Sequence, residues 1–256
     1  YIDTHTHIHY VDFDEERDNI AQKLQEIPVY VVVIGTDLGT SERALLYTQK
    51  YPNSKATVGY HPNDHGEWSV DNWRKIEALA EHENIVGIGE TGIDLYRDQS
   101  QENKRSQIEL LHLHIELAQK LDKPIIIHSR DAFPEVKEIL EQYPNLKVIF
   151  HCFTGDREWM ERLSTVTHEV YFSYSGIVTF KNNVDSIKEA ARHTPNDKIL
   201  TETDSPYLAP VPFRGKRNDS TLLPYVTDFL AELRGEEREV FKQQVFSNAK
   251  KVFKSI

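Results

Sequence analysis

The sequence predicts a (β/α)8 barrel, on the evidence of its length and of a regular alternation between two kinds of segment. The chain has 256 residues, and a barrel of this class typically has about 250. Short runs rich in β-branched residues alternate with longer amphipathic stretches, which is typical of βαβ units around a parallel sheet. We therefore expect one TIM-barrel domain over residues 1–256, with its site at the carboxyl end of the strands.

Eight short segments have the composition of buried strands. Two of them, VYVVVIG and PIIIH, are continuously apolar, as is usual for a parallel strand that is covered on both faces. The predicted strands are 1–4, 29–35, 56–60, 85–90, 124–128, 147–151, 169–174 and 198–202.

Helical periodicity fills the intervals between these strands. The longest stretch, 101–121, carries Ile108, Leu111 and Ile115 at helical spacing. Ser41 and Asp131 are of the residue types that begin helices, and we expect them at helix N-termini. The predicted helices lie near 14–27, 40–51, 69–82, 101–121, 131–142, 155–165, 181–192, 219–234 and 236–253. The longest irregular stretch, 204–220, is of a length that is usually functional or disordered.

Composition excludes some classes of function. The net charge is −11, with 41 acidic and 30 basic residues, which opposes a broad grip on duplex nucleic acid but leaves a small phosphate-handling site open. A single cysteine cannot form an intramolecular disulfide. The first residues lack the features of a signal peptide, and no apolar run has the ~18 residues of a membrane span. We expect a cytoplasmic protein that has no membrane contact and no obligate protein partner.

The end of the first strand carries a candidate half of a metal site. His5 and His7 alternate along the strand, so their side chains point the same way. Two convergent imidazoles can bind a metal ion. The alternative is a pair of surface or packed histidines.

Further ligand types follow the other strands. Glu90 ends the fourth predicted strand, where the alternative to a ligand is a helix cap or an ion pair at the barrel mouth. His128 and His151 end the fifth and sixth strands, and each by itself would more often be a hydrogen-bonded core residue. Asp204 follows the eighth strand.

Together these residues favour a site for two divalent ions. Six nitrogen and oxygen ligands exceed the four of a tetrahedral ion, so a pair of ions that share a carboxylate fits better. Ligand type leaves Mg, Mn and Zn open. The candidate metal ligands are His5, His7, Glu90, His128, His151 and Asp204.

Seven motifs in chain order resemble those of one family, the TatD family of metal-dependent deoxyribonucleases, which belongs to the amidohydrolase-like barrels. They extend from the first strand to beyond the eighth. The motifs are DTHTH, GYHP (59–62), GETGID (89–94), HSRDA (128–132), HCFTG (151–155), TETDSPYLAP (201–210) and RGKRN (214–218). Ile93 and Leu95 depart from the family, whose members often carry Leu and Tyr there, and neither change affects a ligand.

The resemblance implies a division of the ligands between two ions. One ion would be held by His5, His7, Glu90 and Asp204, and the other by Glu90, His128 and His151. Glu90 would bridge the ions as a catalytic residue, and Asp204 would hold and deprotonate the attacking water. Asp3 lies two residues deeper than His5 on the same side of the strand, so we expect it to support the ligands rather than to join them.

Four residues are candidates for substrate binding: His61, Arg130, Arg214 and Lys216. His61 would contact the scissile phosphate or hydrogen-bond to a ligand. Arg130 would bind phosphate or pair with a carboxylate such as Asp131. The run 214–217 is the densest basic segment, and it either positions phosphate or is a solvated face.

Three functions stay open at this point. The first is a metal-dependent nuclease acting on DNA ends or short single-stranded DNA with a metal-activated water. The second is a metal-dependent hydrolase of a small ester or amide, and the third is a non-catalytic metal-binding interaction protein. Replacement of Arg214 and Lys216 by Ala should reduce activity on a phosphate substrate but not on a neutral one.

Overall fold

A computed structural model describes residues 1–254 and 256, and within them eight parallel strands form a nearly closed barrel. The strands follow one another around the sheet in chain order. They are β1 (Ile2–Thr6), β2 (Tyr30–Ile34), β3 (Ser54–Val58), β4 (Ile85–Asp94), β5 (Ile125–Arg130), β6 (Lys147–Phe150), β7 (Glu169–Tyr174) and β8 (Ile199–Thr201). The predicted (β/α)8 class is confirmed.

Helices follow the strands and surround the barrel. They are α1 (Arg17–Glu26), α2 (Leu38–Lys50), α3 (Val70–Ala80), α4 (Gln101–Leu121), α5 (Phe133–Leu140), α6 (Arg157–Leu163), α7 (Asp185–His193), α8 (Leu223–Arg234) and α9 (Arg238–Phe253). Short 3-10 helices lie at Val11–Phe13, Pro62–Glu67, Gly176–Thr179 and Ser220–Leu222. Within the described residues, no helix is both long and apolar enough to cross a lipid bilayer.

Two predicted helix starts are wrong. Helix α2 is capped by Asp37, whose carboxylate accepts a hydrogen bond from the Thr40 amide at 2.6 Å, whereas Ser41 lies buried inside the helix. Asp131 does not cap α5, because its φ is +56° and Ala132 occupies the N-cap position. In α2 the earlier carboxylate, with its partner three residues on, is the stronger start signal, whereas α5 begins without a side-chain cap.

Strand β4 extends beyond its predicted end. It runs for ten residues to Asp94, and its register with β5 shifts between Ile88 and Thr91. Glu90 lies within this irregularity and donates its amide hydrogen to the Gly35 carbonyl at the end of β2. A bulge of this kind redirects a side chain out of the normal alternation.

The barrel is closed by the segment that follows β8. The His7 amide donates to the Ser205 carbonyl at 2.8 Å, and the Asp204 amide donates to the His5 carbonyl at 2.9 Å. An isolated parallel bridge joins Thr6 to Ser205. We refer to these contacts as the β1–β8 junction. They place the first and last site-bearing segments side by side.

Candidate metal centre

A cavity of about 510 Å³ opens at the carboxyl end of the strands, the end where barrel enzymes carry their sites. Five of the six residues predicted as metal ligands line it: His7, Glu90, His128, His151 and Asp204. His5 is buried beside them, with its Nε2 3.3 Å from Glu90. The structure therefore brings all six together.

Glu90 is at the centre of the cluster, and its two carboxylate oxygens face different groups. Oε2 lies 3.3 Å from His5 Nε2 and 3.9 Å from His7 Nε2. Oε1 lies 2.8 Å from His151 Nε2 and 3.1 Å from His128 Nδ1. A carboxylate shared between two ions would be arranged in this way, with one oxygen facing each set of imidazoles.

The first group contains His5, His7 and Asp204. Asp204 Oδ1 lies 3.7 Å from His5 Nε2 and 3.6 Å from His7 Nε2. Ligand atoms about 2.0–2.2 Å from a tetrahedral ion are about 3.4 Å apart, so the spacing fits a metal site. His5 Nε2 is buried and has no hydrogen-bond partner among the described residues, which leaves its lone pair for an ion.

The second group contains His128 and His151. His128 Nδ1 and His151 Nε2 are 3.3 Å apart, and both face Glu90 Oε1. His61 joins this group, since its Nε2 lies 3.5 Å from the same oxygen. The structure thus places His61, predicted as a substrate contact, within reach of an ion as well.

The charges of the cluster balance one another. Burial by itself would raise the pKa of Glu90, but the imidazoles of His151, His61 and His5 hold that pKa well below its usual range. Burial likewise opposes ionisation of Asp204, and the hydrogen bond from His7 lowers its pKa nonetheless. Burial lowers the pKa of His61 to about 4. At neutral pH the site therefore offers ionised carboxylates together with a neutral imidazole.

The first group is supported mainly by backbone. His7 Nδ1 hydrogen-bonds to the Ile34 carbonyl at 3.1 Å, which directs Nε2 towards Glu90. The buried Asp3 carboxylate accepts hydrogen bonds from the His5 amide at 3.3 Å, the Thr203 amide at 2.9 Å and the Thr203 hydroxyl at 2.6 Å. Asp3 thus fixes the two segments of the β1–β8 junction, consistent with the supporting role expected of it.

The second group is supported by two carboxylates that the sequence interpretation missed. Asp94 Oδ2 lies 3.2 Å from His128 Nε2, and Glu202 Oε1 lies 3.4 Å from His151 Nδ1. A carboxylate on the far nitrogen orients an imidazole and raises its basicity. Both residues belong to the quoted motifs GETGID and TETDSPYLAP, so the available signal was an acidic residue at a strand end.

Helix α4 fixes the backbone around this second group. Gln107 accepts a hydrogen bond from the Asp94 amide at 2.9 Å and donates one to the Asp94 carbonyl at 3.1 Å. His114 accepts from the Tyr60 amide at 2.9 Å, one residue before His61. Both side chains are buried, although polar residues in an amphipathic helix are usually expected at its surface.

A glycine is required next to this support. Gly92 has a φ of +143°, and a Cβ atom there would lie 1.9 Å from the His128 carbonyl oxygen. The strand that carries Glu90 can therefore approach the His128 backbone only without a side chain at this position.

The predicted substrate residues divide into two sets. His61 and Arg130 line the cavity. Arg130 stacks its guanidinium 3.6 Å from the centroid of the Tyr96 ring and, among the described residues, forms no ion pair with Asp131. Arg214 and Lys216 lie over the rings of Phe180 and Phe213 and are not among the residues that line the cavity.

Two aromatic residues and the single cysteine differ in their position relative to the cavity. Tyr207 lines the cavity and is exposed, whereas Trp68 is exposed but outside the lining. Cys152 also lines the cavity, with Sγ 3.2 Å from the Ser175 hydroxyl. Burial raises the pKa of its thiol well above the usual range, so the thiolate that a cysteine nucleophile requires is disfavoured.

Comparison with known proteins identifies a family with which this chain shares its sequence and fold. The family model described as TatD related DNase matches residues 2–254. An uncharacterized metal-dependent hydrolase of Bacillus subtilis, YabD, is 36% identical over 255 residues, with 98% of each chain covered. A protein of Erwinia billingiae named 3'-5' ssDNA/RNA exonuclease TatD is 31% identical over 250 residues, with 94% of each covered. The crystal structure of YjjV, a TatD homologue from Escherichia coli, matches with a TM-score of 0.91 at 25% identity, over 99% of this chain and 98% of that one.

Proposed function

Because the chain belongs to the TatD family of metal-dependent hydrolases, we propose that it is a nuclease that removes nucleotides from DNA ends or short single-stranded DNA. The observation that carries the proposal is the position of Glu90, whose two oxygens each face a separate group of ligands at the base of an open cavity. Two-ion sites of this kind suit phosphodiester cleavage.

The ligands would be divided as the two groups are. His5, His7, Glu90 and Asp204 would hold one divalent ion, and Glu90 with His128 and His151 would hold the second. When bound, such ions make a hydroxide available near neutral pH and stabilise the attacking and leaving oxygens of a phosphodiester. The many imidazoles favour Zn or Mn, whereas phosphodiester chemistry favours Mg.

Asp204 would serve as the general base. Its side chain lines the cavity and is ionised at neutral pH, since the neighbouring imidazoles lower its pKa. A carboxylate so placed can accept the proton of the attacking water. No nucleophilic serine or cysteine is needed for this reaction.

His61 would bind the scissile phosphate. Its Nδ1 accepts a hydrogen bond from the Asn63 amide at 3.1 Å, so the proton of the neutral ring is on Nε2, the nitrogen that faces Glu90 in the cavity. An N–H directed there can donate to a non-bridging phosphate oxygen. Arg130 adds a positive charge to the same cavity.

The size of the cavity and the charge of the protein support a short substrate. About 510 Å³ lies within the usual range for a small-ligand site, roughly 300–1,000 Å³, so the cavity suits the end of a strand rather than a duplex. The net charge of −11 opposes a long electrostatic contact with DNA. The name of the Erwinia relative, an exonuclease of single-stranded DNA and RNA, agrees with this substrate class.

A substrate panel tests the proposal. Single-stranded DNA, duplex DNA, RNA, bis(p-nitrophenyl) phosphate and p-nitrophenyl acetate are each assayed with Mg²⁺, Mn²⁺ or Zn²⁺. We expect single-stranded DNA to be shortened from an end, and excess EDTA to abolish the reaction. Equal turnover in EDTA would rule out metal-dependent cleavage. Turnover of the acetate ester with none of the oligonucleotides would favour the small-ester alternative instead.

A further inference from the structure

A second cavity of about 360 Å³ lies between α1 and α2, outside the candidate metal centre. The two cavities are neighbours, because His7 lines the first and His9 lines the second. The ring of Tyr10 separates them, with its centroid 4.7 Å from that of His7 and 4.8 Å from that of His9. None of the functions considered above uses this second cavity.

The acidic groups of the second cavity already have partners. Asp14 forms an ion pair with Arg17 at 2.6 Å, and Asp18 forms one with Lys50 at 2.6 Å. The Tyr51 hydroxyl also donates to Asp18. Each carboxylate of the cavity therefore already has a cationic partner.

The groups left over are hydrogen-bond donors. Arg43 lines the cavity and, among the described residues, has no ion-pair partner. The Tyr47 hydroxyl has no hydrogen-bond partner within the same residues. His9 also lines the cavity, but both of its ring nitrogens are buried, so it is not counted among these donors.

Donors of this kind bind ligands that carry several hydrogen-bond acceptors. The guanidinium of Arg43 and the phenol of Tyr47, which both line the cavity, match the acceptor oxygens of a tetrahedral oxyanion. We propose that the cavity between α1 and α2 binds a phosphate group.

The phosphate could belong to a nucleic acid strand or be free in solution. A strand whose end occupies the metal centre would pass Tyr10 and place a neighbouring phosphate against Arg43. Free inorganic phosphate would use the same donors. The first source rests on the proposed nuclease function and the second does not, so the two are tested separately.

The binding test uses inorganic phosphate and the Mg²⁺-loaded protein. Phosphate is titrated while the Arg43 Nε–H resonance is followed by NMR, and dissociation constants are measured by calorimetry. We expect a saturable shift, a dissociation constant raised about tenfold in Arg43→Gln, and a smaller increase in Tyr47→Phe. Arg105→Gln is the matched control, because Arg105 is exposed on α4 and paired with Glu109. No saturable shift, or equal affinity in Arg43→Gln, overturns the proposal.

The second experiment identifies the source of the phosphate. Arg43→Gln is assayed with a single-stranded tetranucleotide and with bis(p-nitrophenyl) phosphate, which is too short to reach the second cavity. If the site takes a strand phosphate, KM rises several-fold for the tetranucleotide only. If it takes free phosphate, both KM values stay at the wild-type level while the titration still shows binding. Absence of any nuclease activity would refute the proposed function but leave the result of the titration standing.

Discussion

The two sides of Glu90 carry similar candidate ligands, but these side chains are held in different ways. His5, His7 and Asp204 lie at the β1–β8 junction, where backbone hydrogen bonds fix their positions. His128 and His151 are instead held by side chains, with a carboxylate behind each imidazole. The first side thus depends on closure of the barrel, and the second depends on charge.

The electrostatics reflect this difference. Burial lowers the pKa of His5. Burial acts the same way on His128 and His151, but hydrogen bonds and charges from Asp94, Glu90 and Glu202 raise their pKa values in spite of it. The comparison teaches that an imidazole can be oriented for metal binding either by its position in the backbone or by a carboxylate on its other nitrogen. We expect the two kinds of site to respond differently to mutation.

Loss of the shared carboxylate should disable both sides of the site at once, so that the difference between them disappears. For Glu90→Gln we expect activity to fall by about 10³-fold or more, because an oxygen is lost from each group and the charge that balances the imidazoles disappears. Bound metal, measured by mass spectrometry after dialysis, should fall on both sides. Glu116→Gln, at an exposed position of α4, is the control. Retention of two ions would contradict the bridging role.

Removal of the base should damage the first side without unfolding it. Asp204→Asn keeps the size of the side chain and the amide that hydrogen-bonds to the His5 carbonyl, so circular dichroism should match the wild type. The rate should fall by about 10²–10⁴-fold, the usual contribution of a general base. A variant with the wild-type rate would reassign the base to another residue.

The two supporting carboxylates should affect only the second side. Asp94→Asn and Glu202→Gln are each expected to weaken one of two metal-binding steps by about 10–100-fold, as measured by calorimetry. The step assigned to His5 and His7 should change little. Equal weakening of both steps would mean that the two sides are coupled and would remove the distinction between them.

Substrate contacts should give the smallest effects. Arg130 lines the cavity, whereas Arg214 and Lys216 do not, so Arg130→Ala should raise KM for single-stranded DNA by about tenfold. The Arg214→Ala, Lys216→Ala double variant should raise it by only a few-fold, at low salt. Neither change should alter turnover of a neutral ester. A larger effect of the double variant would extend the substrate path beyond the cavity.

The sequence was sufficient to predict the fold and to place the candidate ligands at one end of the barrel, because both follow from the period and direction of the strands. Parallel strands place their carboxyl ends at one face, so the sequence alone predicts that His128, His151 and Asp204 lie close to His5 and His7. Helix starts were predicted less accurately. Asp37 is as local a cap candidate for α2 as Ser41, and α5, where Asp131 was expected to be the cap, begins without a side-chain cap.

The support of the site could not be predicted in the same way. Gln107 and His114 contact backbone atoms many residues away, and nothing in the periodicity of α4 distinguishes a buried polar side chain from a solvated one. The second cavity is similar, because its unpaired donors are recognised only after Asp14 and Asp18 are seen to have partners. Which polar groups have hydrogen-bond or ion-pair partners is decided by the folded structure and cannot be read from local sequence.

The β1–β8 junction also has a consequence for the order of folding. It joins residues as distant as Thr6 and Ser205, which are 199 positions apart, and contacts between such distant segments form slowly. During synthesis the histidines of the first strand emerge long before their carboxylate partner. A nascent chain therefore contains His5 and His7 but lacks Asp204 until synthesis has passed the last strand. If the proposed role of Asp204 holds, we expect hydrolytic competence to be acquired only when the barrel closes.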